Sequence, residues 1–165
     1  MKILLLTDRL DIGGAETHIA QLAKGLSESG NEVWVASAGG SVADRLEEQG
    51  IVQLQMPLGS HSPVRWWLMR RKIRDLIKRE RFDVAHAHAR VPALLIHGVR
   101  RLNCAEIVTV HAKFRSGLLR RLLSRWGEHS IAVSEDLRAY LHNSFAVAFA
   151  PQHTCSSDKI RGQRI

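Results

Sequence analysis

Two hydrophobic periods alternate along the chain, and this alternation limits the fold more than any other feature. Short apolar runs of strand length occur at Lys2–Thr7, Glu32–Ser37, Ile51–Leu54, Phe82–Ala87, Glu106–Val110 and Ser130–Val133. Between them lie longer stretches with apolar residues three and four positions apart. In 15–29 the stripe is Ile19, Leu22, Ala23 and Leu26, and Gly30 stops it. Helices are predicted over Ala15–Ser29, Val42–Gln49, Pro63–Arg81, Val91–Leu102, Arg115–Trp126 and Glu135–Asn143. Ser134 stands at the N-cap of the last, with Glu135 and Asp136 in its first turn. Nearly continuous apolar strands alternating with helices imply a parallel sheet covered on both faces. The expected fold is α/β, a doubly wound parallel sheet with strand order 3-2-1-4-5-6.

Sheets of this kind bind ligands outside the C-terminal ends of their strands. Four polar signals fall there: Asp8 to Gly14, His86-Ala87-His88, His111, and Ser134-Glu135. Gly13 and Gly14 precede a helix, whose first amides and positive dipole end favour an anion such as phosphate. Glycine there also admits close approach and positive φ, and a tight turn without ligand fits the pair equally well. His86 and His88 share one face of their strand, because side chains alternate. No cysteine or carboxylate stands near them at ligand spacing, so no metal site is expected. His111 ends an apolar strand, where an imidazole can act as acid, base or hydrogen-bond partner.

Charge narrows the partners. The chain carries 24 Lys+Arg against 16 Asp+Glu, a balance that favours polyanions. Much of the excess lies in "VRWWLMRRKIRDLIKRE" (64–80) and "KFRSGLLRRLLSRW" (113–126). In the first, Trp66, Met69, Ile73, Leu76 and Ile77 form a core stripe, and Arg70, Arg71, Lys72, Arg74 and Lys78 are expected on the solvated face. That face is either a solubilising surface or a site of adsorption to anionic headgroups, with Trp66 or Trp67 at the interface. Nucleic acid is not an expected partner, since no recognised motif or interleaved exposed aromatics accompany the charges. Met1–Leu6 is cut short by Asp8 and Arg9, so no signal peptide is read. Cys104 and Cys155 lie far apart and read as reduced thiols of a cytoplasmic protein.

Four stretches, "GGAETHIAQLAKGLSESGNEVWVAS", "FDVAHAHARVPALL", "IVTVHAKF" and "IAVSEDLRAYL", together resemble the N-terminal domain of GT-B-type glycosyltransferases, particularly retaining family 4. The resemblance covers about residues 1–143 and implies a role for each signal. Gly13 and Gly14, with Glu16 beside them, would border the donor phosphates and the acceptor. His111 would hydrogen-bond the reacting sugar and is the catalytic candidate. His86 and His88 would line the acceptor side, and Ser134 and Glu135 would mark the last helix facing the cleft. Gly13, Gly14, His88, His111 and Glu135 are expected at one open edge of the sheet.

The resemblance also implies a nucleotide-sugar donor, a glycan or lipid-linked acceptor, hexosyl transfer in polysaccharide biosynthesis, and no bound cofactor. The family's donor-gripping second domain finds no match in these stretches, and residues 144–165 read as an irregular, truncated or frame-shifted tail. The expected function is therefore the acceptor-binding half of a glycosyltransferase, inactive alone or completed by a separate donor-domain chain. It would be cytoplasmic or peripheral on the inner membrane face. The alternative is a non-catalytic module that binds anionic lipid or polyanion through the basic helices.

Overall fold

A computed structural model describes residues 1–59, 62–113, 129–145 and 147. Its centre is one parallel sheet of β1 (Lys2–Leu6), β2 (Glu32–Ser37), β3 (Val52–Gln55), β4 (Val84–Ala87), β5 (Ala105–Val110) and β6 (His129–Ala132). The spatial order is β3-β2-β1-β4-β5-β6, as the strand pattern predicts. β1 lies between β2 and β4, with Leu5 opposite Val35 on one side and His86 on the other. The helices are α1 (Gly14–Glu28), α2 (Ser41–Glu48), α3 (Pro63–Glu80), α4 (Arg90–Ile96) and α5 (Glu135–Phe145). The fold is a single Rossmann-like α/β domain.

Strand alternation splits the core in two. Leu4 and Leu6 of β1 point to the face covered by α3, α4 and α5, where they pack with Ile73, Ile77, Ile96 and Leu141. Ile3 and Leu5 point to the other face, under α1 and α2, with Ile19, Ala23, Val35 and Leu46. The period of two in the strand thus meets the three-and-four spacing of helices on both sides. Gly30 ends α1 at φ 81, a left-handed conformation that suits glycine, as the sequence predicts.

One predicted helix is not continuous. The segment Val91–Leu102 breaks after Ile96; Gly98 turns the chain at φ 83, and a short 3-10 helix follows at Val99–Leu102. The break is held by hydrogen bonds that periodicity does not reveal. The Gly98 amide donates to Glu106 Oε2 at 2.9 Å, and Arg70 Nη2 donates to the His97 carbonyl at 2.6 Å. Glu106 is only 3% exposed, and His97 Nδ1 lies 3.3 Å from its other oxygen. These contacts correct the placement of two basic residues. Arg70 and Arg74 are half-buried, and each reaches a backbone carbonyl of the turn after α4, while Arg71, Lys72 and Lys78 are exposed.

The start of α5 follows the expected capping. Ser134 Oγ accepts the Leu137 amide at 3.2 Å, and the Ser134 carbonyl accepts the Arg138 amide at 2.9 Å. Ser134→Ala should cost about 1 kcal/mol in urea unfolding, with Ser134→Asp restoring most of it. An unchanged midpoint in the alanine variant would show that the cap is unimportant. The basic stretch predicted as a helix at 115–126, and the tail from 148 onward, lie outside the described residues.

Candidate functional site

The strand order reverses direction between β1 and β4, and the crevice outside their C-terminal ends is where doubly wound sheets bind ligands. Three connections converge on that edge: the loop from β1 into α1, the end of β4, and the end of β5. Each brings an imidazole. His18 comes one turn into α1, His86 and His88 come from β4 and its end, and His111 follows β5.

The rings form one cluster. His88 Nδ1 lies 3.2 Å from His111 Nε2. His18 meets His111 edge-on, with centroids 5.1 Å apart, and lies 6.1 Å from His88. His86 stacks beside His88 at 4.1 Å, and its Nε2 lies 2.7 Å from the Thr109 hydroxyl on the neighbouring strand. Strand alternation therefore places His86 and His88 on one face, as the sequence predicts. The sequence reading misses His18. Its signal is its position one turn after Gly14, on a helix whose start faces the same sheet edge.

Burial sets the charge of the cluster. Loss of water, followed by the neighbouring imidazoles, pushes His88 down to about 2. Burial, then His18 and His111, pushes His86 down to about 4. Burial and His18 also lower His111, against the opposing pull of the Glu16 carboxylate. His86 and His88 are thus uncharged at neutral pH, and these two rings offer N–H groups and lone pairs rather than cations.

Two expectations about this edge need correction. His88 is 5% exposed, so it forms the floor of the crevice rather than its open rim. Buried β4 and the overlying rings of His18 and His111 exclude water from it. His111 and Gly13 are half-buried, whereas Gly14 and Glu135 are exposed.

Gly13 does not use positive φ either. It is extended at φ −175, a conformation open to any residue. What a side chain would meet there is the Glu16 carboxylate, which packs over the Gly13 Cα. Above Gly14, by contrast, a Cβ would meet nothing within 4 Å. Glu16 already places a negative charge in the first turn of α1, which offsets the attraction of that helix end for a phosphate. Close approach is therefore open at Gly14, and simple anion capture is disfavoured.

Ser134 and Glu135 lie at the same edge, after β6, one strand beyond His111. The Ser134 hydroxyl accepts the Leu137 amide and keeps its proton for a further partner. Glu135 pairs with Arg138 at 3.5 Å, one turn along α5.

Comparison with solved structures supports the fold. A glycosyltransferase from Rickettsia africae superposes with a TM-score of 0.75 at 19% identity, covering 89% of this chain and 40% of that one. A sucrose-phosphate synthase from Thermosynechococcus elongatus gives 0.67 at 13% identity, over 91% of this chain and 47% of that one. The lipopolysaccharide outer core galactosyltransferase WaaB gives 0.61 at 14% identity, over 92% of this chain and 46% of that one. The 165 residues thus span less than half the length of these structures, and identities this low show shared fold alone. No curated protein sequence matches the chain. Membership rests on the sequence family itself: the profile of Glycosyltransferase Family 4 matches residues 12–154, nearly the whole chain, and the chain belongs to that family.

Proposed function

We propose that this domain forms the acceptor-binding wall of a glycosyltransferase cleft. The sugar would pass from a nucleotide-sugar donor to a glycan or lipid-linked acceptor. The observation that carries this reading is the imidazole cluster of His18, His88 and His111 at the β1/β4 crevice, with His88 held uncharged by burial, beside the open space over Gly14. Neutral imidazoles hydrogen-bond hydroxyl groups as donor and acceptor, and a sugar presents hydroxyls to such a surface. His111, half-buried at the lip, would touch the reacting sugar; His86, anchored on the Thr109 hydroxyl, stacks against His88 from behind. Gly14, Glu16, Ser134 and Glu135 would complete the rim.

A two-walled site grips a ligand that one wall leaves mostly solvated. The 165-residue polypeptide by itself should therefore bind UDP- or GDP-sugars only weakly and transfer no sugar. Nitrogen-resolved NMR of the imidazoles should instead show His18, His88 and His111 shifting with acceptor glycans. Micromolar calorimetric binding of a nucleotide sugar, or release of nucleotide diphosphate with acceptor present, would overturn the reading.

A specific surface favours a lipid-linked acceptor. Val64, Trp67 and Leu68 are 68%, 60% and 42% exposed on one side of α3, away from its core stripe. Arg71, Lys72 and Lys78 continue that side, and the Arg71 guanidinium sits 5.9 Å from the Trp67 ring. Since α3 follows β3, its apolar start lies at the sheet edge that carries the histidines. An apolar patch with basic neighbours there would rest on an anionic membrane surface and present the crevice to a headgroup. Among the described residues no helix is long and apolar enough to cross a membrane.

A further inference from the structure

We infer that the cavity at the C-terminal ends of β2 and β3 binds one uncharged sugar ring. This deepens the acceptor proposal and rests on it in one respect, that the ring would be an outer unit of the acceptor glycan.

The cavity holds about 350 Å³ between β2, β3 and α2, and its polar lining includes Ser37, Gly39, Asp44, Glu47, Gln53 and Gln55. That volume is near the lower end for ligand sites, enough for one ring rather than a chain. Strand alternation builds it. Leu54 packs toward the core under α3, so Gln53 and Gln55 share the opposite face of β3. Asp44 and Glu47, three positions apart on α2, reach the same space.

The lining selects the ligand. The chain has a formal net charge of +8, yet none of the described residues around this cavity is Lys, Arg or His. Two carboxylates without a cation in the lining repel phosphate and other anions. Both are exposed and keep part of their hydration, so they do not demand a counter-cation. Carboxylates accept, and carboxamides donate and accept, each through two polar atoms that suit adjacent hydroxyls of a sugar ring. The Ser37 hydroxyl accepts the Gly39 amide at 3.1 Å and keeps its proton for a ligand oxygen.

Gln53 is the group that gains most from an occupant. Its amide nitrogen is turned inward, shut off from water and without a hydrogen-bond partner. The torsion at the end of a glutamine side chain is broad, so the carboxamide can turn toward the cavity at small cost. A sugar hydroxyl there would hold it in a satisfied position.

The cavity also lies on the sheet edge that carries the histidines. In the order β3-β2-β1-β4-β5, β2 is three strands from β5, about 14 Å at about 4.8 Å per strand. A glycan touching both His111 and this cavity must therefore span several sugar units. The rim is tied to the crevice as well. The Ala38 amide donates to the Asp8 carbonyl and the Leu10 amide to the Gly39 carbonyl, both at 3.0 Å, in the loop that leads to Gly13 and Gly14.

Nitrogen-resolved NMR of the full chain tests this, with the methyl glycosides of glucose, galactose, mannose and N-acetylglucosamine as probes. The side-chain amide signals of Gln53 and Gln55 should shift saturably with at least one of them, in the millimolar range. Adenosine and inorganic phosphate should leave both signals in place. Loss of one hydrogen bond costs about tenfold in affinity, so Gln53→Leu should weaken the best glycoside by about that factor. The double variant Asp44→Ala/Glu47→Ala, on exposed side chains, should weaken it at least as much, and Glu48→Ala should bind as the parent does. The inference is overturned if no glycoside shifts the two glutamines, or if adenosine or phosphate binds more tightly than every glycoside. It is also overturned if either variant binds as the parent does with circular dichroism unchanged. The crevice is followed separately at the imidazole nitrogens of His18, His88 and His111. Glycosides that move these and leave Gln53 and Gln55 still would sink the cavity and leave the acceptor proposal standing. Shifts at the two glutamines alone would uphold the sugar site and count against the acceptor proposal.

Discussion

Gly40→Ala is expected to destabilise the domain by about 2–5 kcal/mol, from backbone strain and forced overpacking together. Gly40 sits at φ 135, ψ 166, a region open essentially to glycine alone. A methyl group there would also run into the Leu10 carbonyl and the Asp11 carboxylate. The damage should reach the site, because the loops after β1 and β2 are laced together. The Leu10 amide donates to the Gly39 carbonyl at 3.0 Å, and the Val42 amide to the Leu10 carbonyl at 2.9 Å. Moving Leu10 therefore moves the segment that leads into Gly13, Gly14 and α1. Gly39→Ala is the control. Its φ is 89, but an added methyl would meet only the Gln55 amide nitrogen at 3.7 Å, so it should cost about 1–3 kcal/mol, from strain alone. Urea unfolding of both variants checks the claim. Equal losses, or a Gly40→Ala loss below about 1 kcal/mol, would mean the Leu10 loop yields freely.

The two glycine pairs show what can be read from the sequence here and what cannot. Gly13-Gly14 and Gly39-Gly40 both stand between a strand and a helix, and only the first attracts attention, because it opens the ligand edge. The backbone makes the opposite demand: Gly13 is extended, whereas Gly39 and Gly40 both take positive φ. A dihedral angle depends on how one loop packs against another, and a single chain segment does not display that. The sheet is legible because strand and helix periods report burial directly, and burial fixes which faces meet. His86, His88 and His111 are legible because they end apolar strands at a predictable edge. His18 is hidden by its helix, where one polar residue among several gives no sign that it turns toward the crevice.

The basic face of α3 shows the same limit from the side of charge. Helical spacing separates a core stripe from an outer face, and on that basis Arg70, Arg71, Lys72, Arg74 and Lys78 look alike. Two of them are recruited by carbonyls left open where α4 breaks at Gly98. That break depends on buried Glu106, which belongs to another strand. Arg70 and Arg74 therefore hold the turn after α4, and the charge of the proposed membrane contact would have to come from the others.

That division decides the form of the last prediction. The proposed membrane contact should show as co-sedimentation with anionic vesicles at low salt and little with neutral ones. Each basic residue near an anionic surface contributes about 1 kcal/mol, so removing three weakens adsorption on the order of a hundredfold. Reversing their sign should weaken it further. Arg71→Glu, Lys72→Glu and Lys78→Glu together should therefore abolish sedimentation while leaving the unfolding midpoint nearly unchanged, because all three side chains are exposed. Arg70→Glu should behave differently. It removes the donor 2.6 Å from the His97 carbonyl and brings a carboxylate toward the turn that Glu106 holds, so its main effect should be on stability. Raising ionic strength from about 0.1 M to 1 M shortens the screening length from about 10 Å to 3 Å and should release the parent chain. Trp67→Ala should weaken binding even at low salt, because it removes the exposed ring that would enter the interface. If the triple variant sediments as fully as the parent, or the parent ignores anionic vesicles at low salt, the exposed face of α3 is only a solubilising surface. The acceptor would then have to be sought among soluble glycans.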